Sequence, residues 1–114
     1  MWLALCLTLT ATISVLSLLR GDVWIVRIVP AGLQKLLHVA FYAALAFAEV
    51  SALSAADISP RTSIATTAIS VTALGATLEW LQSLRPDRFA RMADVALDVA
   101  GAILGVAIWL AARS

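Results

Sequence analysis

Residues 36–53 read Leu36-Leu-His-Val-Ala-Phe-Tyr-Ala-Ala-Leu-Ala-Phe-Ala-Glu-Val-Ser-Ala-Leu53, eighteen residues with no Asp, Lys or Arg and a single Glu, Glu49, beside one His, His38. A helix that crosses a bilayer needs about 20 largely apolar residues, and this stretch predicts one. Working outward, Trp2–Leu19, Ile64–Leu84 and Met92–Ala112 are of the same kind. Pro30, Pro60 and Pro86 each fall between these stretches, where a missing N–H does no harm. Connections of about 8 to 15 residues make sequence neighbours run antiparallel. The expectation is an all-α, integral membrane protein, an antiparallel bundle of four transmembrane helices. It forms one domain over residues 1–114, with helices at about 2–19, 36–53, 64–84 and 92–112.

Composition points the same way. Of the 114 residues 62% are hydrophobic and 13% charged, with a mean hydropathy of +0.98. Soluble domains are about half apolar and a quarter charged, and a domain this small cannot hide such an excess inside itself. A net charge of +1 gives no basic footprint for nucleic acid. Cys6, the single cysteine, forms no intrachain disulfide and reads as a packing residue. No Lys or Arg precedes the first apolar run and no small-x-small cleavage site precedes Arg20, so that run reads as a retained helix, not a signal peptide. Asp22–Gln34, with Trp24, is too short to span and is expected at the interface, where Trp2 and Trp109 are also expected to anchor. Arg20, Arg27, Lys35, Arg85, Arg88 and Arg91 flank the first and third connections, against Arg61 and Arg113 on the other side. The positive-inside rule then places those two connections in the cytoplasm and both termini outside.

Ionisable residues at membrane depth are costly and usually face the bundle interior. Lys35, His38, Tyr42 and Glu49 share one stripe of the second helix, at offsets of three, seven and fourteen. Gly75, Glu79 and Gln82 do so on the third helix, and Asp94, Asp98, Gly101 and Gly105 on the fourth. Lys35, His38, Glu79, Gln82, Asp94 and Asp98 all lie toward the same membrane surface, beside the connection that carries Arg85, Arg88 and Arg91. Glu49 lies about 21 Å along the helix from Lys35 and belongs to the other leaflet. The bland alternative is that these groups only join helices, each contact being worth about 0.6 kcal/mol. Neutral Ser, Thr or Asn would serve that purpose at less cost, which favours a binding site. Its expected residues are Lys35, His38, Tyr42, Glu79, Gln82, Arg88, Arg91, Asp94 and Asp98. His38 is the acid–base candidate, imidazole being the side chain that titrates near neutrality. Tyr42 reads first as packing, and Gly101-x-x-x-Gly105 as a close helix approach. At least one direct contact between Arg88 or Arg91 and Glu79, Asp94 or Asp98 is expected, because an unpaired charge there is expensive.

The run Glu79-Trp-Leu-Gln82-Ser-Leu-Arg-Pro86-Asp-Arg88-Phe-Ala-Arg91-Met-Ala-Asp94 resembles the signature of the VanZ-like family: E-x-x-Q, a Pro-x-Arg turn, then an Asp opening the last helix. Lys35-x-x-His38-x-x-x-Tyr42 and Gly101-x-x-x-Gly105 are similar to that family as well, so the likeness covers residues 35–105. Asp98 stands where the family often has Asn, and Asp87 where it often has Gly. The resemblance implies a multi-pass protein of the bacterial cytoplasmic membrane. The family takes its name from a protein associated with teicoplanin resistance; that names a relative, not a reaction.

Four readings remain open on the residues, one of them a purely structural or assembly role. The first is binding or handling of a cell-envelope lipid or precursor headgroup, with Arg88 and Arg91 gripping phosphate. The second is an intramembrane enzyme acting on a lipid-linked phosphate or ester, with His38 or Glu79 as acid–base group. No recognised catalytic motif accompanies it. The third is a small transporter subunit, which small multidrug transporters of similar size suggest, although the first helix here has no carboxylate. No cofactor is expected, and no metal, since His38 has neither a cysteine nor a second histidine near it. The expected partner is a membrane lipid or envelope precursor, with a homo-oligomer or an envelope-synthesis partner left open.

Overall fold

The computed structural model describes residues 1–18, 31–84 and 92–113; for 16–18, 31, 82, 83 and 92–94 it describes the backbone only. The described residues form four helices and no strand: α1 (Trp2–Leu18), α2 (Ala31–Ala55), α3 (Pro60–Ser83) and α4 (Met92–Arg113). Three stretches are long and apolar enough to cross a membrane: Gly32–Ala55, Pro60–Leu81 and Val95–Arg113. Their mean hydropathies are 1.7, 1.3 and 2.1. α1 is apolar but, at 17 residues, shorter.

Two expected boundaries move. α2 opens at Ala31, five residues before Leu36, so Ala31–Gln34 belong to the helix and not to an interfacial segment. α3 opens at Pro60, which is therefore its first helical residue and not part of the connection. Proline is suited to that position, because its fixed φ is helical and its missing N–H is not needed there. Asp22 to Pro30, Pro86 and the third connection's arginines lie outside the described residues.

Local chemistry fixes the turn between α2 and α3. The Ile58 N–H donates to the Leu53 carbonyl and the Asp57 N–H to the Ser54 carbonyl, both at 3.1 Å, while Asp57 takes φ 64°. That pattern is a Schellman ending, with aspartate where glycine is commoner. Ser59 then caps α3: its Oγ accepts from the Thr62 N–H at 3.3 Å, three positions on.

The interior is small and the exterior large, the reverse of a water-soluble bundle. Ala46, Ala48, Ser63, Thr67, Gly75, Gly101 and Gly105 are buried, whereas Leu3, Leu36, Ile69, Ile103 and Leu110 are exposed. Helices that meet in lipid gain nothing hydrophobically, so small residues that let backbones approach are favoured between them. A Cβ on Gly101 would lie 2.9 Å from the Val39 carbonyl oxygen, and one on Gly105 2.9 Å from the Ala46 Cβ. Positions 39 and 101, then 46 and 105, advance together, so α2 and α4 run in the same direction. A core of Ile13, Tyr42, Leu45, Ala46, Val71, Leu78 and Ala102 ties all four helices, with Cys6 and Leu9 packed against it.

The two tryptophans expected as interface anchors differ in placement. Trp2 is half-buried, edge-on to Phe47 with ring centroids 5.9 Å apart. Trp109 is buried in the bundle, not displayed outward, and Arg113 lies over its ring at 4.5 Å.

Candidate functional site

The site is built where α2, α3 and α4 meet. With a rise of 1.5 Å per residue, His38 stands about 10 Å from the start of α2, Asp98 about 9 Å from the start of α4, and Glu79 about 6 Å from the end of α3. His38 Nε2 contacts Asp98 Oδ1 directly. The Asp98 side chain is 2% exposed and His38 27%, so the acid is sealed and the imidazole reaches an edge. The close approaches of Gly101 to Val39 and of Gly105 to Ala43 set α2 against α4 with the two at one depth.

Tyr42, one turn further along α2, stacks on His38 with ring centroids 4.9 Å apart and planes 19° from parallel. It is 2% exposed and belongs to the core cluster, as its packing role predicts. The Asp98 and Glu79 carboxylates both lie close enough to the Tyr42 hydroxyl to interact with it electrostatically. Glu79 is 7% exposed. Gly75 and Gly101 make the space: a side chain at Gly75 would collide with the Asp98 carboxylate, and one at Gly101 would lie 2.7 Å from the Tyr42 Cβ.

The structure therefore brings together His38, Tyr42, Glu79 and Asp98 of the nine expected residues. Lys35 is exposed at the same end of α2, outside the buried group. Arg88 and Arg91 lie outside the described residues, as do the side chains of Gln82 and Asp94, and with them the whole of the expected arginine–carboxylate pairing. For Asp98 the partner is His38, a pairing that the sequence reading did not single out. The available signal was their similar depth together with Gly75 on the facing helix.

Glu49 stays apart, eleven residues and about 16 Å beyond His38 on α2. Its Oε1 accepts from Ser70 Oγ at 2.5 Å. A buried carboxylate held by an imidazole and walled by a tyrosine can hold a proton, orient the ring, or accept hydrogen bonds from a polar ligand at the His38 edge. No family model matches the chain, and comparison with curated proteins and with solved structures gives no match.

Proposed function

We propose that the chain is a VanZ-like multi-pass protein of the bacterial cytoplasmic membrane that binds the headgroup of a cell-envelope lipid or precursor at a polar site in one leaflet. The observation that carries this is Asp98, 2% exposed and paired with His38 at the depth of Glu79, inside helices apolar enough to span. Burying such groups is expensive, and intramembrane ionisable residues that face a bundle interior mark ligand or ion pathways.

The proposal takes the bundle as antiparallel, with α1 as a fourth span. The pairing of Glu49 with Ser70 and of Asp98 with Gly75 supports opposite directions for α3 and its neighbours. Seventeen residues of α1 reach about 26 Å, close to the thickness of the hydrocarbon core.

In this arrangement the His38 edge meets the ligand. Lys35, exposed at the same end, and Arg88 and Arg91 from the following connection supply positive charge for a phosphate; arginine can engage it bidentately. Asp98 and Glu79 orient those donors. Lipid mass spectrometry on gently purified protein tests the proposal. A co-purifying phospholipid or polyprenyl phosphate, lost in Arg88→Ala and reduced in Asp98→Asn, is expected. Unchanged lipid content in both variants would sink it.

The His38–Asp98 contact also favours a second reading, an intramembrane enzyme acting on a lipid-linked phosphate or ester. A carboxylate that fixes one imidazole nitrogen leaves the ring oriented for general acid–base work. Release of phosphate or alcohol from a defined lipid by purified protein, absent in His38→Gln, would replace binding with turnover.

A further inference from the structure

A second carboxyl group stands in the bundle away from the His38–Asp98 pair. Glu49 lies about 9 Å from the end of α2 and Ser70 about 15 Å from the start of α3, so their contact is well inside both helices. Ser70 Oγ donates to Glu49 Oε1, and the Cys6 thiol of α1 lies close enough to interact with the same carboxylate electrostatically. Three helices therefore converge on Glu49. Among the described residues no Lys, Arg or His pairs with it. Arg61 of α3 is exposed and stands about 14 Å along the helix from Ser70.

A threonine beside this contact is left over. The Thr67 side chain is 0% exposed, and its hydroxyl has no hydrogen-bond partner among the described residues. A helical threonine can satisfy itself: Thr8 and Thr12 of α1 each donate to the carbonyl four residues back, at 2.8 Å. Thr67 makes no such bond, although leaving a sealed hydroxyl unpaired is expensive. It precedes Ser70 by three residues, about 60° around the helix and about 4.5 Å along it, so the two hydroxyls are neighbours on one face. Ile64, Ala68 and Thr72 line the side of α3 toward α4, and Thr67 is not among them. The side that it occupies is the one that meets Glu49.

The chemistry names the occupant. A bare carboxylate is costly among hydrocarbon, and a bound opposite charge removes that cost. Glu49 offers one negative charge, so a monovalent cation leaves the site neutral where a divalent one would not. The carboxylate and the two hydroxyls are oxygen donors, which hard cations take. Histidine and thiolate ligands belong to softer metals and are not needed. A carboxylate with two hydroxyls less than a helical turn apart is a compact set, which suits the smaller of the common monovalent ions.

We infer that Glu49, Ser70 and Thr67 form a second site, at the opposite end of the bundle from His38 and Asp98, that binds one sodium ion. The carboxylate neutralises the ion, and it gives the Thr67 hydroxyl a partner. Ser63, also 0% exposed, continues the spacing of Thr67 and Ser70 toward the α2–α3 turn, and marks the approach from that surface.

Dicyclohexylcarbodiimide, an apolar reagent that couples to membrane carboxyl groups, tests this on full-length protein in detergent micelles. Peptide mass spectrometry locates the modified residue. Sodium at about ten times its dissociation constant leaves about one site in eleven empty, so modification of Glu49 should slow about tenfold relative to choline chloride at equal ionic strength. Potassium should protect far less. Thr67→Val keeps the side-chain shape without the hydroxyl and should abolish the protection. Ser70→Ala, at an exposed position, should do the same and decides the matter where Thr67→Val fails to accumulate. Ile69→Leu, exposed beside Ser70, should keep the protection. Sodium should also raise the melting temperature of the unaltered protein and leave that of Glu49→Gln unchanged. Full protection in Thr67→Val, or equal rates in sodium, potassium and choline, would overturn the site. Protection by potassium as strong as by sodium would overturn the choice of ion. Modification that responds to pH but not to sodium would make Glu49 a proton carrier instead.

Discussion

Gly75 on α3 lies against the Asp98 carboxylate on α4 so closely that no side chain fits between them. The third helix is without a Cβ at the level where the fourth buries its acid, and the same carboxylate meets His38 of α2. Three helices thus meet in register around one buried carboxyl group.

Substituting these glycines separates the site from the scaffold. At Gly105 a Cβ would overlap the Ala43 carbonyl, which is backbone and cannot turn aside. Gly105→Ala should lower stability by about 1–3 kcal/mol, as overpacking does. At Gly75 the obstacle is a side chain, so Gly75→Ala should push Asp98 off His38 and damage lipid retention more than melting temperature. Gly32 has nothing within 4 Å, and Gly32→Ala should be neutral or stabilise α2 by up to about 1 kcal/mol. Thermal melts in detergent beside bound-lipid measurements check all three.

The His38–Asp98 pair should be energetically coupled. Removing one partner of a buried pair costs about 3–5 kcal/mol because the other charge is stranded. His38→Ala is therefore expected to cost more than Asp98→Asn, because it leaves the sealed carboxyl group without the imidazole, whereas Asn keeps a polar partner for a ring that reaches the edge. The variant combining His38→Ala with Asp98→Asn should fall short of the summed single effects by about 0.5–3 kcal/mol. Strict additivity in denaturation would mean that the contact carries no energy.

Three charge variants rank by burial. Glu79 is nearly sealed, Glu49 is half-buried on Ser70, and Arg61 is exposed. Glu79→Ala should reduce membrane accumulation most. Glu49→Gln keeps an acceptor for Ser70 and should cost less than about 1 kcal/mol. Arg61→Ala should be nearly silent, as exposed charges contribute about 0–1 kcal/mol. Equal levels of all three on membrane immunoblots would make the shared polar face incidental.

Topology has its own test. Six basic residues flank the first and third connections and two flank the other side, so a reporter fused after Ser114 should be active only outside the cytoplasm. Cytoplasmic activity would turn the Arg88 and Arg91 connection outward, toward envelope precursors.

The amino-acid sequence by itself determined the helices. Unbroken apolar stretches and the prolines between them are local signals, and they place α4 to within a residue and α2 and α3 within five at their starts. It also determined the polar stripes, since spacing of three and four is a property of one helix alone. Where α2 begins was not legible in the same way: Ala31–Lys35 mixes apolar and polar residues, and hydropathy cannot separate a first turn from an interfacial segment. Tertiary structure decided the axial placement of His38 against α4. It also decided that Asp98 is paired with an imidazole, that Lys35 stands outside the buried group on the stripe's margin, and that Trp109 turns inward. Each of these depends on the rotation and axial offset of one helix against another. Those offsets are set by close approaches such as Gly101 on Val39 and Gly105 on Ala43, between residues some sixty positions apart, and no periodicity within a single helix encodes them.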